Sequence, residues 1–306
     1  MPEKHKISCV AVFGGTGFLG TEIVARLASE GIDVRVGVRQ PEKVRPLPDT
    51  GEHAKIEPVY ADVRDESSLA LALDGCDAAV NAVGLYVEQS AETFEAVHER
   101  GAANLARQCT ALKIGRLIHI SGIGADLNSA SPYVRSRARG ETLVRDVMPE
   151  TVILSPSVLF GPQDKFINTL AQIISRAPVV PMFGDGLMRL QPAYVGDVAL
   201  ATHKALTDLQ AAGQTYELGG ASVLTYRRIL ELVMERLHKN RVLLPLPFAV
   251  WDTLAAASAL LPASPITRDQ VALMKGDNVV ADNALSFADL GIEPKALEDI
   301  LADYAF

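Results

Sequence analysis

The stretch YVRSRARGE, residues 133–141, sets Tyr133 four residues before Arg137. On a helix, positions i and i+4 share a face, so this phenol and this guanidinium are neighbours. A free phenol titrates at about pH 10 and is a poor base at neutral pH, and a nearby cation favours its phenolate. The spacing therefore suits a proton-transferring tyrosine. Arginine supplies the positive charge and several donors, but it stays protonated and has no proton to exchange. Arg135 and Arg139 fall on other faces and are expected in solvent.

A second constellation lies near the N-terminus. VFGGTGFLGTEIVARLASEG, residues 12–31, follows an apolar strand and opens a helix, with Gly14, Gly17 and Gly20 spaced G-x-x-G-x-x-G. One glycine permits a tight turn, one lets backbone N–H groups approach a pyrophosphate, and one packs helix against strand. With Thr16, Phe18 and Leu19 they form the expected dinucleotide loop. An acidic residue about twenty positions further on would hold an adenosine ribose 2′-hydroxyl. The chain instead has Arg39, whose planar fork suits a 2′-phosphate. NADP(H) is expected over NAD(H). Asp62 and Val63 end the third strand, where an adenine edge would lie, and Ala82, Val83 and Gly84 offer small residues beside the ligand after the fourth.

The elements that must position these groups are legible in the pattern. Short β-rich runs at 7–13, 33–38, 56–60, 77–81, 116–120 and 151–155 alternate with helical patterns near 17–30, 66–74, 91–112 and 132–147. Such alternation with near-continuous apolar strands predicts an α/β fold, a doubly wound parallel sheet covered on both faces. Beyond 156 the chain is punctuated by Pro and Gly, with a strand-like run at 214–220 and helices near 225–238, 248–261, 267–275 and 294–304. Residues 1–160 read as the nucleotide-binding domain, to which segments near 185–220 return. Residues 161–184 and 221–306 read as a smaller, mainly helical lobe over the sheet's carboxyl edge, where such folds bind ligands.

Bulk properties narrow the function. A net charge of −8 over 306 residues argues against a broad nucleic-acid face. Cys9, Cys76 and Cys109 are widely spaced within apolar runs and read as reduced, buried residues in a cytoplasmic compartment. The six histidines (5, 53, 98, 119, 203 and 238) show neither metal spacing nor convergent pairing, and His119 reads as structural; no metal is expected. The N-terminus has no signal-peptide pattern. Between Pro247 and Pro262 there is room for about fourteen helical residues, against the ~20 that span a bilayer. The apolar segment 242–261 is thus a core or lid helix, or a docking face peripheral to a membrane or protein, and no span is expected.

GGTGFLG at 14–20, Ser121 in LIHISGIG, Tyr133 with position 137, SPSVLFGP at 155–162 and PAYVGDVA at 192–199 together resemble the short-chain dehydrogenase/reductase superfamily. The likeness is to its extended, atypical branch of NAD-dependent epimerase/dehydratase-like proteins. More narrowly, residues 133–168 are similar to the subgroup of the nucleotide-binding accessory subunit of respiratory complex I and its bacterial relatives. The resemblance implies a Rossmann sheet of about seven strands holding NADP(H) or NAD(H), with Pro156, Ser157 and Val158 beside the nicotinamide. It implies that Ser121 hydrogen-bonds a substrate carbonyl and that Tyr133 transfers the proton. Where the family has a relaying lysine this chain has Arg137, which keeps donors for ribose hydroxyls while cutting the relay. Asp197 is expected in a helix-start or turn role. Arg189 is one residue out of step with the arginine that sugar-nucleotide enzymes use, which ranks a sugar-nucleotide enzyme below two other functions. One is an oxidoreductase on a carbonyl or secondary alcohol of a small, lipid-like or quinone-like molecule. The other is a non-catalytic NADP(H)-binding structural or redox-sensing protein docked to a partner.

Overall fold

The computed structural model describes residues 7–44, 54–258 and 266–306. His5, His53 and the 259–261 end of the docking segment lie outside the described residues. Seven strands form one sheet: β1 (Cys9–Phe13), β2 (Asp33–Val38), β3 (Ile56–Tyr60), β4 (Ala78–Asn81), β5 (Arg116–Ile120), β6 (Val152–Pro156) and β7 (Thr215–Leu218). Their order is 7-6-5-4-1-2-3, and every neighbouring pair is parallel. The order reverses between β1 and β4, the point at which such sheets open a crevice at their carboxyl ends.

Six helices follow from the same chain: α1 (Phe18–Ser29), α2 (Glu66–Leu73), α3 (Ala102–Ala111), α4 (Pro132–Val147), α5 (Phe166–Arg176) and α6 (Val195–Thr207). Side chains alternate along a strand, so Val10 and Val12 face α1 and α6 while Ala11 and Phe13 face α2 and α3. Buried side chains such as Ile23, Val24 and Leu27 on α1 each contribute about 1.5–3 kcal/mol through apolar burial.

Two helices occupy stretches that the sequence pattern left as irregular, α5 and α6. The former opens the C-terminal lobe; the latter packs on α1 beneath the sheet. The helix expected over 91–112 is also different. Glu95–Gly101 is wound as a π-helix before α3 begins. A π segment disrupts the 3.6 period and commonly sits beside functional groups; here it carries His98.

The C-terminal lobe holds α7 (Tyr226–Arg236), α8 (Phe248–Ser258), α9 (Arg268–Leu273) and α10 (Leu297–Leu301), with its own apolar cluster built on α5, α7 and α10. Within the 242–261 segment, Val242–Leu246 is a strand paired in parallel with Val179–Phe183, and only Ala255 and Ser258 of α8 are buried. Val242, Leu244, Val250 and Leu254 stand exposed, so this is a surface face and not a core helix. Among the described residues no helix is long and apolar enough to cross a membrane.

Candidate functional site

Each glycine of the loop has a distinct physical reason. Gly14 has φ +79°, and a Cβ there would lie 2.6 Å from the Ala82 carbonyl oxygen, so it makes the turn. At Gly20 a Cβ would collide with the Gly14 carbonyl oxygen, so it sets helix against strand. Gly17 has neither constraint, since its nearest neighbour would be Gly14 O at 3.3 Å. It is the N-cap of α1, with no capping side chain and no acidic residue in the first turn. The positive end of α1, carrying Phe18 and Leu19 with Thr16 just before it, is thereby left available to an anion. Gly84 has open space around it, so the protein itself does not require a glycine there.

At the far end of β2, Arg39 is more than half exposed and its Nη1 donates to Glu92 Oε1 in an ion pair. Asp62 is clamped by Arg64 in a two-pronged pair, Nε to Oδ1 at 2.9 Å and Nη2 to Oδ2 at 2.6 Å. That guanidinium holds the Asp62 carboxyl below its usual range. Val63 is buried, and its carbonyl accepts from Asn104 Nδ2 at 2.9 Å. Arg64 and Glu92 were missed by sequence reasoning. Glu92 is 53 residues from Arg39, too far for local spacing to reveal.

α4 places the chemistry. Ser131 caps it, accepting from Val134 N at 3.3 Å, and Pro132 opens it, so Tyr133 sits in the first turn. Tyr133 is 9% exposed, so it is not a surface tyrosine. Tyr86 stacks on its ring and Phe94 and His98 meet it edge-on, each at 5.7 Å. Arg137 stands beside it as the i+4 spacing predicts, its guanidinium carbon 5.7 Å from the ring centre, a cation–π contact. Arg137 Nη2 donates to Ile120 O at 3.2 Å, while its buried Nε has no partner among the described residues. Arg135 is not free in solvent: its Nη1 donates to Ser129 O at 2.5 Å. Arg139 is exposed and pairs with Glu99 at 3.6 Å.

Ser121 is buried at the end of β5, and its hydroxyl donates to Glu141 Oε1. Burial raises the Glu141 carboxyl above its ordinary range, against the Ser121 hydrogen bond and the charges of Arg137 and Arg145. Tyr133, Arg137 and Glu141 thus fall at i, i+4 and i+8 along one helical face. The same spacing that singles out Arg137 would have singled out Glu141.

Two histidines converge here, contrary to expectation. His98 Nε2 accepts from Leu85 N at 3.0 Å, and its Nδ1 donates to Ser136 Oγ at 2.9 Å. His119 Nδ1 accepts from Asn81 Nδ2 at 3.2 Å. Both rings and Arg137 line one small cavity with Asn81, Val83, Val97 and Ile120, of about 10 Å³, the room of a single water. Burial, then the Arg137 charge, pushes both histidines down to about 3, so both are neutral at physiological pH. Gly140 makes the approach possible, since a Cβ there would collide with the His98 carbonyl oxygen.

The C-terminal lobe contributes Asn278, which no local motif announces. Its Oδ1 accepts from Ser157 Oγ at 2.6 Å and Val158 N at 3.0 Å, and its Nδ2 donates to Ile123 O at 3.2 Å. The loops after β5 and β6, with Pro156, are thereby tied together at the carboxyl edge. Asp197 lies in the first turn of α6 as expected, but its carboxylate accepts from the remote Lys295 N at 2.7 Å. Arg189 is paired with Asp277 at 2.7 Å.

The profile of the NAD dependent epimerase/dehydratase family matches residues 10–219, which covers the sheet from β1 to β7 and the site residues above except Asp277, Asn278 and Lys295. The chain belongs to the NAD dependent epimerase/dehydratase family. A mitochondrial NADH dehydrogenase [ubiquinone] 1 alpha subcomplex subunit 9 from Arabidopsis thaliana is 33% identical over 301 residues, 94% of this chain and 74% of the relative. A ceramide reductase from Caulobacter vibrioides is 32% identical over 190 residues, 62% of this chain and 58% of the relative. The structure of MoeE5 in complex with UDP-glucuronic acid and NAD has the same fold, with TM-score 0.72 and 20% identity over 97% of both chains.

A dinucleotide of this family fits the residues present. Gly17 leaves room at the end of α1, Gly84 leaves room beyond β4, and Arg137, which lines the small cavity, keeps a buried Nε donor without a partner among the described residues.

Proposed function

We propose that this chain is an NADP(H)-binding protein of its family in which nucleotide binding is retained and turnover is largely lost. Gly14, Thr16, Gly17, Phe18, Leu19 and Gly20 hold the pyrophosphate. Arg39, released from Glu92, meets the 2′-phosphate, and Asp62 and Val63 border the adenine. Ala82, Val83 and Gly84 pass beneath the nucleotide, while Pro156, Ser157 and Val158 line the nicotinamide end. Arg137 donates to ribose hydroxyls. Bound NADP(H) supplies a hydride donor or acceptor.

The observation that carries this reading is the state of the α4 centre. The hydroxyl of Ser121 is committed to Glu141, and the cation beside Tyr133 has no proton to give. The relative named as an NADH dehydrogenase [ubiquinone] 1 alpha subcomplex subunit supports a docked, structural or redox-sensing role, with the exposed 242–258 face as the docking surface and a location peripheral to a membrane.

A second reading, reduction of a lipid-like or quinone-like carbonyl, is favoured by retention of Ser121 and Tyr133 and by the relative named ceramide reductase. In it Tyr133 gives its proton to the carbonyl oxygen and Ser121 orients that oxygen.

NADPH oxidation over a panel of long-chain carbonyls separates the two. The first reading expects no turnover from the wild type and a gain of at least about tenfold over background in Arg137→Lys, lost again when Tyr133→Phe is added. Wild-type turnover at about 1 s⁻¹ or faster would sink it in favour of the second. Activity indifferent to Tyr133→Phe would sink both mechanisms.

A further inference from the structure

Two of the three cysteines, 67 residues apart, meet at the edge of the sheet opposite the nucleotide loops. Cys9 begins β1 and Cys76 lies just before β4, and their sulfurs are 3.1 Å apart. The approach is built by the backbone. Asp77 N donates to Cys9 O at 2.9 Å, and the Asp77 carboxylate accepts from Ser8 N at 2.7 Å and Cys9 N at 3.1 Å. This reciprocal clamp starts the β1–β4 ladder, and Gly75, with φ +72°, turns the chain so that Cys76 faces Cys9. Cys9 is half-buried while Cys76 is buried, so oxidant reaches the pair through Cys9.

We propose that Cys9 and Cys76 form a redox-active dithiol that hydrogen peroxide closes to an intramolecular disulfide. The Cys9 thiolate attacks one peroxide oxygen, the O–O bond breaks, and Cys9 becomes a sulfenic acid as hydroxide leaves and takes up a proton to form water. The Cys76 sulfur then attacks Cys9, its proton and the expelled hydroxide forming a second water. Two thiols and one peroxide thus give one disulfide and two waters. The roles follow the surroundings. Hydrogen bonding from Cys76, assisted by Arg35 on β2, lowers the Cys9 thiol, whereas Cys76 is raised by holding that hydrogen bond and by burial. Cys109 is buried elsewhere and pushed up to about 12, and it stays a thiol.

The full chain is reduced, treated with a small excess of hydrogen peroxide, alkylated under denaturing conditions, and analysed by intact mass and tryptic peptides. Wild type is expected to fall from three alkylatable thiols to one, with a mass loss of about 2 Da when measured before alkylation. Peptides 7–26 and 65–100 should be joined, and dithiothreitol should restore all three thiols. Cys109→Ser should close the same disulfide. Cys76→Ala should leave Cys9 as a sulfenic acid that dimedone traps. If Cys76→Ala does not fold, the Cys109→Ser protein carries the test alone. Three surviving thiols in wild type, or a bond only between separate chains, would overturn the proposal. NADPH affinity should change less than about twofold on oxidation, because the disulfide and the nucleotide loops lie at opposite ends of β1.

Discussion

Arg39 and Glu92 pose the sharpest question at the scale of single residues. In the proposed site a 2′-phosphate competes with Glu92 for the exposed Arg39 guanidinium, so the acid acts as a competitor as well as a positioner. Removing a charge-assisted hydrogen bond costs about 1.5–3 kcal/mol, so Arg39→Ala is expected to weaken NADPH binding about ten- to hundredfold. NADH, lacking the phosphate, should change less than about threefold. Glu92→Gln should tighten NADPH and leave NADH alone. Isothermal titration of both nucleotides against the three proteins checks the pattern, and equal losses for both nucleotides in Arg39→Ala would contradict it. The Arg137 neighbourhood is the other residue-scale lesson. Its pairing with Tyr133 was legible from spacing alone, because a helix enforces it. The Ser121–Glu141 bond spans twenty residues and the Arg39–Glu92 pair more than fifty. Helical spacing marks the face that Glu141 shares with Tyr133, but the pairing partners across such separations leave no local signature in the sequence.

Among the elements, the glycine loop and the crossing of α4 over the π-helix make separable demands. Gly17→Ala sets its methyl 3.3 Å from the Gly14 carbonyl oxygen, a tight contact that a small shift relieves, and should cost about 1 kcal/mol of stability, the scale of a capping change. It should nevertheless weaken both nucleotides strongly, because in the proposed site the new methyl stands against the pyrophosphate. Gly20→Ala drives a methyl into the Gly14 carbonyl and should lose both stability and binding. Gly140→Ala forces α4 from the His98 carbonyl and should destabilise by about 1–3 kcal/mol, as overpacking does. Urea midpoints measured beside nucleotide titrations distinguish the three, and a Gly17→Ala protein that binds normally would remove the pyrophosphate from this loop. The β-α alternation up to β6 was readable because the central strands β1, β4, β5 and β6 are buried almost throughout and stand out as short runs between helical patterns. α5 and α6 fell in the Pro- and Gly-rich stretch, where such punctuation masks the period. The π segment follows no 3.6 repeat at all.

For the whole molecule, the parallel sheet joins a lobe that reaches the site through Asn278, 121 residues from Ser157, and through Asp269, which accepts from the α4 cap Ser131. Those ties belong to tertiary packing, and no spacing rule could have found them. Stability should carry a pH signature of the buried histidines. Their folded pKa of about 3 lies below the unfolded 6.5, so the stability they confer is present above pH 6.5 and is lost as pH falls toward 3. Each contributes a loss of up to about 1.4 kcal/mol per pH unit. Glu141, Asp164 and Asp197, raised by burial, act with the opposite sign, since protonation relieves their burial as pH falls. His119→Gln should therefore flatten the fall in melting temperature between pH 7 and 5 relative to wild type, and an unchanged slope would remove His119 from the cause. The central claim, an intact NADP(H) site that does not depend on a working proton relay, is tested most directly by titrating NADPH into wild type and Arg137→Lys without substrate. One nucleotide per chain should bind in both, at least about tenfold tighter than NADH, with affinities in the two proteins within about threefold. No saturable NADPH binding by the wild type, or binding that appears only in Arg137→Lys, would contradict it.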